Sequence, residues 1–90
     1  MKIIKTYVEV HARFDSSGKL IPEKIVWEDG RSYEIDRVSD IRQAAAMKVG
    51  GQGDRYTITV NGRQRYLYFE RSANICGNVI GRWFVEAKVA

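Results

Sequence analysis

The feature that most constrains the fold is an Asn61–Gly62 pair flanked by two runs rich in β-branched and aromatic residues. An Asn-Gly pair favours the positive backbone φ angles of a type I′ turn, and the flanking runs alternate as strands do. Residues 55–60 and 63–70 are therefore predicted to form a hairpin with a two-residue loop, in which Tyr56 lies opposite Leu67. The hairpin indicates a mainly β fold.

The register of this hairpin assigns its side chains to two faces, because neighbouring residues of a strand point to opposite sides. One face is apolar and is predicted to line the core; it carries Tyr56, Ile58, Val60, Leu67 and Phe69. The other is predicted to be exposed; it carries Arg55, Thr57, Thr59, Gln64, Tyr66, Tyr68 and Glu70. Arg63 and Arg65 fall on the core side close to the turn, where we expect them to leave the barrel at its open end.

Two more hairpins are predicted in the first half of the chain. A strand over residues 3–14 alternates with period two, residues 15–18 have turn chemistry, and a second strand follows over residues 20–27. A three-residue loop, Glu28–Gly30, is favoured next, with Gly30 in the left-handed region. A two-residue loop would put the apolar side chains on opposite faces. The longer loop gathers them on one face: Ile25, Trp27, Tyr33 and Ile35.

The second half of the chain alternates between apolar and polar residues less regularly than the first. Residues 38–53 read as a bent strand that runs into a glycine-rich loop, and one short helix near residues 39–48 is the alternative. Residues 71–81 are predicted to form a loop. A last strand is expected over residues 82–89, with Trp83 facing inward. Trp27 and Trp83 are the predicted aromatic anchors of the core.

Ninety residues suffice for one domain, so residues 1–90 are predicted to form a single β-barrel domain. We expect a mainly β fold, a small antiparallel five- or six-stranded barrel of the SH3-like or Sm-like kind, because closure of the sheet removes exposed edges. The single cysteine, Cys76, excludes an intramolecular disulfide and suits a reducing compartment. With no signal peptide and no long apolar run, the sequence predicts a cytoplasmic protein without a membrane span.

Four segments resemble those of short, uncharacterised bacterial proteins with a small β-barrel fold. They are residues 27–36, 53–57, 66–70 and 82–86, and the likeness extends over about residues 25–87. The resemblance implies a fold and a cytoplasmic, bacterial setting, and it implies no activity.

Catalysis has little support in the sequence, and we expect a protein that is not an enzyme and holds no metal or cofactor. His11 has no second histidine with which to bind a metal, and nothing brings it close to Cys76. The carboxylate pairs Glu34/Asp36 and Glu28/Asp29 are read as solvated surface. The run Gly50–Gly53 leads into a predicted strand, whereas a phosphate-binding loop of that kind leads into a helix.

A surface rich in arginine and tyrosine is the remaining candidate site. Its predicted binding residues are Arg55, Arg63, Arg65, Tyr66 and Tyr68. Small barrels bind single-stranded nucleic acid when arginines neutralise phosphates and tyrosines stack on bases. The net charge of +4 fits an anionic partner. The alternative is a protein–protein interaction or self-association to a homo-oligomer, because exposed tyrosine and arginine are also enriched in protein interfaces.

Overall fold

The computed structural model describes residues 2–44 and 53–89, and for residues 44, 73–76, 88 and 89 it describes the backbone alone. Over this range the chain forms one antiparallel sheet of seven strands and no helix. The strands are β1 (Lys2–Phe14), β2 (Leu20–Val26), β3 (Ser32–Glu34), β4 (Arg37–Ala44), β5 (Gly53–Val60), β6 (Arg63–Cys76) and β7 (Val79–Val89). Their spatial order is β3-β2-β1-β7-β6-β5-β4, and the sheet curls into an open half-barrel.

Two segments of the chain, β1 and the stretch from β3 to β4, each change pairing partner along their length. The first part of β1 pairs with β7 and the last part pairs with β2. The segment from β3 to β4 likewise changes partner, because the Ile35 N–H donates to the Glu23 carbonyl of β2 at 2.9 Å while the Asp36 N–H donates to the Thr59 carbonyl of β5 at 2.8 Å. This change of partner splits residues 32–44 into two strands. The prediction of five or six strands was therefore too low.

The predicted hairpins form in the predicted registers. Asn61 has φ 52° and Gly62 has φ 77°, and Tyr56 lies opposite Leu67. In the Glu28–Gly30 loop, the Trp27 N–H donates to the Arg31 carbonyl at 2.8 Å. Gly30 has φ 87°, as a left-handed residue of a bulged loop requires. Turn chemistry predicted the first register, and the gathering of apolar side chains on one face predicted the second.

The structure bears on two predictions in the second half of the chain, the alternative helix near residues 39–48 and the loop over residues 71–81. Residues 39–44 belong to β4 and are not helical, while residues 45–48 lie outside the described residues. The predicted loop over residues 71–81 is wrong, because β6 continues to Cys76 and β7 begins at Val79. The register of the β6–β7 pair shifts between Arg71 and Cys76, and a turn at Gly77, with φ 63°, connects the two strands.

The core lies on the concave face, as the alternation of the strands predicts. Its buried residues are Ile25, Tyr56, Ile58, Val60, Leu67, Phe69 and Trp83. Partly buried apolar residues pack against them: Val8, Val10, Leu20, Trp27, Tyr33, Ile35, Val38 and Val85. Trp83 is therefore a core anchor as predicted, whereas Trp27 lies at the core's margin.

Gly81 marks a close approach between β6 and β7. A Cβ atom at this position would lie 2.5 Å from the Glu70 carbonyl oxygen and 2.5 Å from Cζ of Phe69. Any larger residue would push the two strands apart, which is why a glycine occurs inside this strand.

Candidate nucleic-acid interface

Among the five predicted binding residues, Arg55 and Tyr66 form a contact between a cation and an exposed aromatic ring. The Arg55 guanidinium carbon lies 4.7 Å from the centroid of the Tyr66 ring. Tyr66 is 52% exposed, so its ring is open to a ligand. An arginine held over an aromatic face in this way gains about 0.5–1 kcal/mol at an exposed site. The contact orders a cation beside an accessible aromatic ring.

Two arginines that the sequence analysis did not select lie on the same face. Arg42 is opposite Arg55 in the β4–β5 register, and Arg37 is opposite Thr59. Arg37 and Arg42 are five positions apart, so regular alternation would place them on opposite faces. The register shift between Val38 and Asp40 reverses that alternation. We call the set of Arg37, Arg42, Arg55 and Tyr66 the arginine–tyrosine face.

The arginines of this face differ in how far they are neutralised. The Arg42 Nε donates to Asp40 at 2.6 Å, and the two side chains are 69% and 42% exposed, respectively. Such a surface pair is worth about 0–1 kcal/mol and can exchange partners. Neither Arg37 nor Arg55 forms a salt bridge with any other described residue. The face therefore keeps net positive charge next to Tyr66.

Tyr68 lies on the same face of the sheet as Tyr66, opposite Arg55 in register, but it is buried, so the prediction that it is exposed is corrected. Its side chain is 7% exposed, and its ring stacks on Phe84 with centroids 5.0 Å apart and an interplanar angle of 8°. The Tyr68 hydroxyl donates to Glu86 at 2.9 Å. The prediction failed because the convex face of β6 and β7 has an aromatic layer of its own, which the alternation of β6 alone does not reveal.

This outer aromatic cluster, consisting of Tyr7, Tyr68 and Phe84, is covered by a salt bridge. The Lys5 Nζ lies 5.0 Å from the Phe84 ring centroid and ends on Glu70 Oε1 at 2.5 Å. The hydrogen bond between them raises the pKa of Lys5 and lowers the pKa of Glu70. Lys5 is therefore already engaged and adds little to the attraction of an anion.

Arg63 and Arg65 lie apart from the arginine–tyrosine face. Both are exposed near the tip of the β5–β6 hairpin, opposite Val60 and Ile58 in register. They point to the other side of the ribbon from Tyr66, as their position on the core-facing side of β6 predicts. Among the described residues, neither makes a salt bridge. They can contribute to the positive electrostatic potential around the hairpin without belonging to the arginine–tyrosine face.

The residues considered for catalysis remain scattered. His11 is exposed, with its Nε2 3.2 Å from a Glu9 carboxylate oxygen, and the Cys76 side chain lies outside the described residues. Asp36 accepts a hydrogen bond from the Asn61 N–H at 3.1 Å, and Asp29 accepts one from the Arg31 N–H at 2.9 Å. Both carboxylates therefore support turns.

Neither the glycine run nor any cluster of metal-ligating side chains forms a site within the described residues. Residues 50–52 lie outside them, and Gly53 begins β5, so the run leads into a strand as predicted. In the described ranges, no three side chains from histidine, cysteine, aspartate and glutamate are arranged to hold a metal ion. Nor does that part of the chain contain a helix long and apolar enough to cross a membrane.

Comparison of the chain with models of known protein families, with curated proteins and with solved structures gives no significant match.

The environment of Tyr68 predicts a loss of stability at alkaline pH. Burial, followed by the hydrogen bond to Glu86, raises the pKa of Tyr68 to about 12, whereas an unfolded tyrosine titrates near about 10. The stabilisation from the neutral phenol is complete below about pH 10 and is lost as the pH rises towards about 12. When urea unfolding is measured at a series of pH values, the free energy of unfolding should fall less between about pH 10 and about pH 12 for Tyr68→Phe than for the wild type. Identical declines would contradict the burial of this hydroxyl.

Proposed function

We propose that this protein is a non-enzymatic cytoplasmic binding module, a small barrel of the SH3-like or Sm-like kind that holds single-stranded nucleic acid on its arginine–tyrosine face. The observation that carries the proposal is the Arg55 guanidinium held over the half-exposed ring of Tyr66. Sequence-tolerant single-strand binding uses this combination, because every base has a face that can stack and every phosphate attracts a cation.

The arrangement of the strands gives three residues of the face, Arg42, Arg55 and Tyr66, a role. β4, β5 and β6 are neighbours about 4.8 Å apart. Arg42, Arg55 and Tyr66 therefore lie on three adjacent strands, and they extend over about 10 Å across the sheet. Tyr66 would stack on a base, Arg55 would support the stack from the neighbouring strand, and Arg42 would exchange Asp40 for a phosphate. Arg63 and Arg65 would raise the positive potential near the hairpin.

The test is a fluorescence anisotropy titration with labelled single-stranded DNA and RNA at low and moderate salt. We expect micromolar binding that weakens steeply with added salt. Tyr66→Ala should weaken it by about 1–3 kcal/mol, the usual value of one base stack. Arg42→Ala should reduce the salt slope by about one unit, because one phosphate contact is lost.

The control for these variants is Arg13→Ala. Arg13 is exposed and pairs with Glu23 at 3.0 Å, as Arg42 pairs with Asp40, but it lies at the far end of β1. This variant removes the same charge, so an equal effect on binding would show that only net charge matters and would refute a defined face. The absence of binding at low salt would refute the proposal as a whole.

The charge-reversed variant Arg63→Glu/Arg65→Glu tests the hairpin tip separately. We expect weaker binding at low salt, because long-range attraction is lost, and a smaller difference at moderate salt, where screening shortens the reach of these charges. If the loss persists unchanged at moderate salt, the two arginines touch the ligand and the face extends around the ribbon.

Protein–protein interaction without nucleic-acid binding is the second candidate. It is favoured by large apolar side chains that remain exposed, among them Phe14 at 63% and Val79 at 60%. Light scattering at rising protein concentration separates one form of it, because a strict monomer at high concentration excludes self-association.

A further inference from the structure

The half-barrel is open along a groove between β2 and β4. The groove has a volume of about 880 Å³ and is lined mainly by residues 21–23 and 34–41. Within the described residues, β4 pairs on one side only, with β5, and the start of β2 pairs only with β1. Two free sheet edges therefore border the same groove. The hydrogen bond from the Ile35 N–H to the Glu23 carbonyl closes one end.

A groove bordered by free strand edges is suited to an added strand. The main-chain groups of an unpaired edge are a template for β-strand addition, in which backbone hydrogen bonds give affinity and alternate side chains give specificity. Val38 and Ile41 supply apolar surface in this groove, and Ile41 is 41% exposed. An extended segment with alternating side chains can cover this surface with one of its faces.

The charge of the groove is opposite to that of the protein. Five carboxyl groups line it, against the two cations Lys19 and Arg37; the carboxyl groups belong to Asp15, Glu23, Glu34, Asp36 and Asp40. Three of them have local partners: Asp15 caps its own turn, Glu23 pairs with Arg13, and Asp40 pairs with Arg42. Asp15, Glu34 and Asp36 form no salt bridge with any described residue, and neither do the cations Lys19 and Arg37. Three unpaired carboxylates against two unpaired cations leave the groove with one net negative charge, and Glu34 and Asp36 supply the carboxylates on its β3–β4 side.

We infer that this groove is a second binding site, which takes an extended lysine- or arginine-bearing segment of a partner protein by strand addition to β4. The basic side chains of the segment meet Glu34 and Asp36, and its apolar side chains cover Val38 and Ile41. A polyanion is repelled from these carboxylates, so the occupant differs from that of the arginine–tyrosine face. Arg37 borders both sites, which are therefore adjacent along β4 and are distinguished by the sign of the ligand's charge.

The probe is a fluorescein-labelled peptide of about eight alternating lysine and valine residues, roughly the length of a strand. We expect saturable binding by anisotropy, and the same peptide with glutamate in place of lysine should not displace the bound lysine peptide. A peptide that is N-methylated at alternate residues should also fail to bind, because it keeps the charge and loses the main-chain donors. Equal binding of the N-methylated peptide would overturn strand addition.

The site is located with a matched pair of variants. Glu34→Gln/Asp36→Asn removes two charges from the groove, and the asparagine keeps the oxygen that accepts from the Asn61 N–H. Glu28→Gln/Asp29→Asn removes two charges from the neighbouring turn and likewise keeps the acceptor for the Arg31 N–H. We expect the first to weaken binding on the order of tenfold, as for a loss of complementary charge, and the second to weaken it less than about twofold.

Two outcomes would overturn the inference. Equal weakening by the two double variants would mean that the peptide responds to overall charge and not to the groove. A dimer in light scattering that the groove variant dissociates, and that excludes the peptide, would make a second copy of this chain the occupant.

Discussion

Phe84→Ala should lower the free energy of unfolding by about 3–5 kcal/mol, the range for emptying a large buried aromatic site. Phe84 is 0% exposed although it points away from the concave core. Its ring stacks on Tyr68 and meets the edge of Tyr7, with centroids 5.9 Å apart in the latter pair. The chain of Lys5 passes over it, held in place by Glu70. Truncation would leave a cavity beneath that salt bridge.

Urea unfolding of the wild type and variant gives the change directly. Phe84→Leu should cost less than about 1.5 kcal/mol, because it keeps most of the volume, and it can be measured if the alanine variant does not fold. Tyr66→Ala is the control for an aromatic residue on the same face of the sheet, and because Tyr66 is half exposed we expect its cost to lie well below that of Phe84→Ala. A cost below about 1 kcal/mol for Phe84→Ala would mean that the outer cluster is not packed.

Trp83→Ala should have a cost of similar size, about 3–5 kcal/mol, for a different set of contacts. Trp83 is 8% exposed and faces the concave core. Its ring centroid lies 5.1 Å from that of Tyr56 and 4.9 Å from that of Phe69. Aromatic pairs at this spacing contribute about 0.5–1.5 kcal/mol beyond the area that they bury.

Trp27→Ala is the matched control for this substitution. Trp27 packs against the same core from its margin and is only partly buried, so its loss should cost less than that of Trp83. Trp83→Phe preserves an aromatic ring, so its urea unfolding midpoint should lie at a higher urea concentration than that of Trp83→Ala. If Trp27→Ala proves the more destabilising of the two alanine variants, the core is centred on the β2–β3 hairpin and not on β7.

Adjacent residues of β7 are thus expected to be equally sensitive for unrelated reasons. Trp83 could be assigned from the sequence, since it alternates with Val85, Ala87 and Val89 along the predicted strand. Phe84 could not be assigned in this way, because a strand that packs on one face only would leave it in water. Its burial requires Tyr68 from β6 and Lys5 from β1, residues that are distant in sequence and meet only through strand order.

In the candidate binding surface, too, some contacts follow from local sequence and others only from the order of the strands. The contact between Arg55 and Tyr66 follows from the hairpin register, which is a local property. The addition of Arg37 and Arg42 depends on the register shift between Val38 and Asp40, which no spacing in the sequence announces. Tyr68 is excluded from the binding surface because it is buried against Phe84, its partner on the neighbouring strand β7.

By itself, the sequence determined the β class, the hairpin registers at Gly30 and Gly62, and the apolar face that becomes the core. These features depend on turn chemistry and on period-two alternation, both of which act between residues close together in the chain. Only the tertiary structure decided the strand count, the buried outer cluster and the groove between β2 and β4. Each of those depends on which distant strands become neighbours, and that choice is made by the free energy of packing the whole sheet.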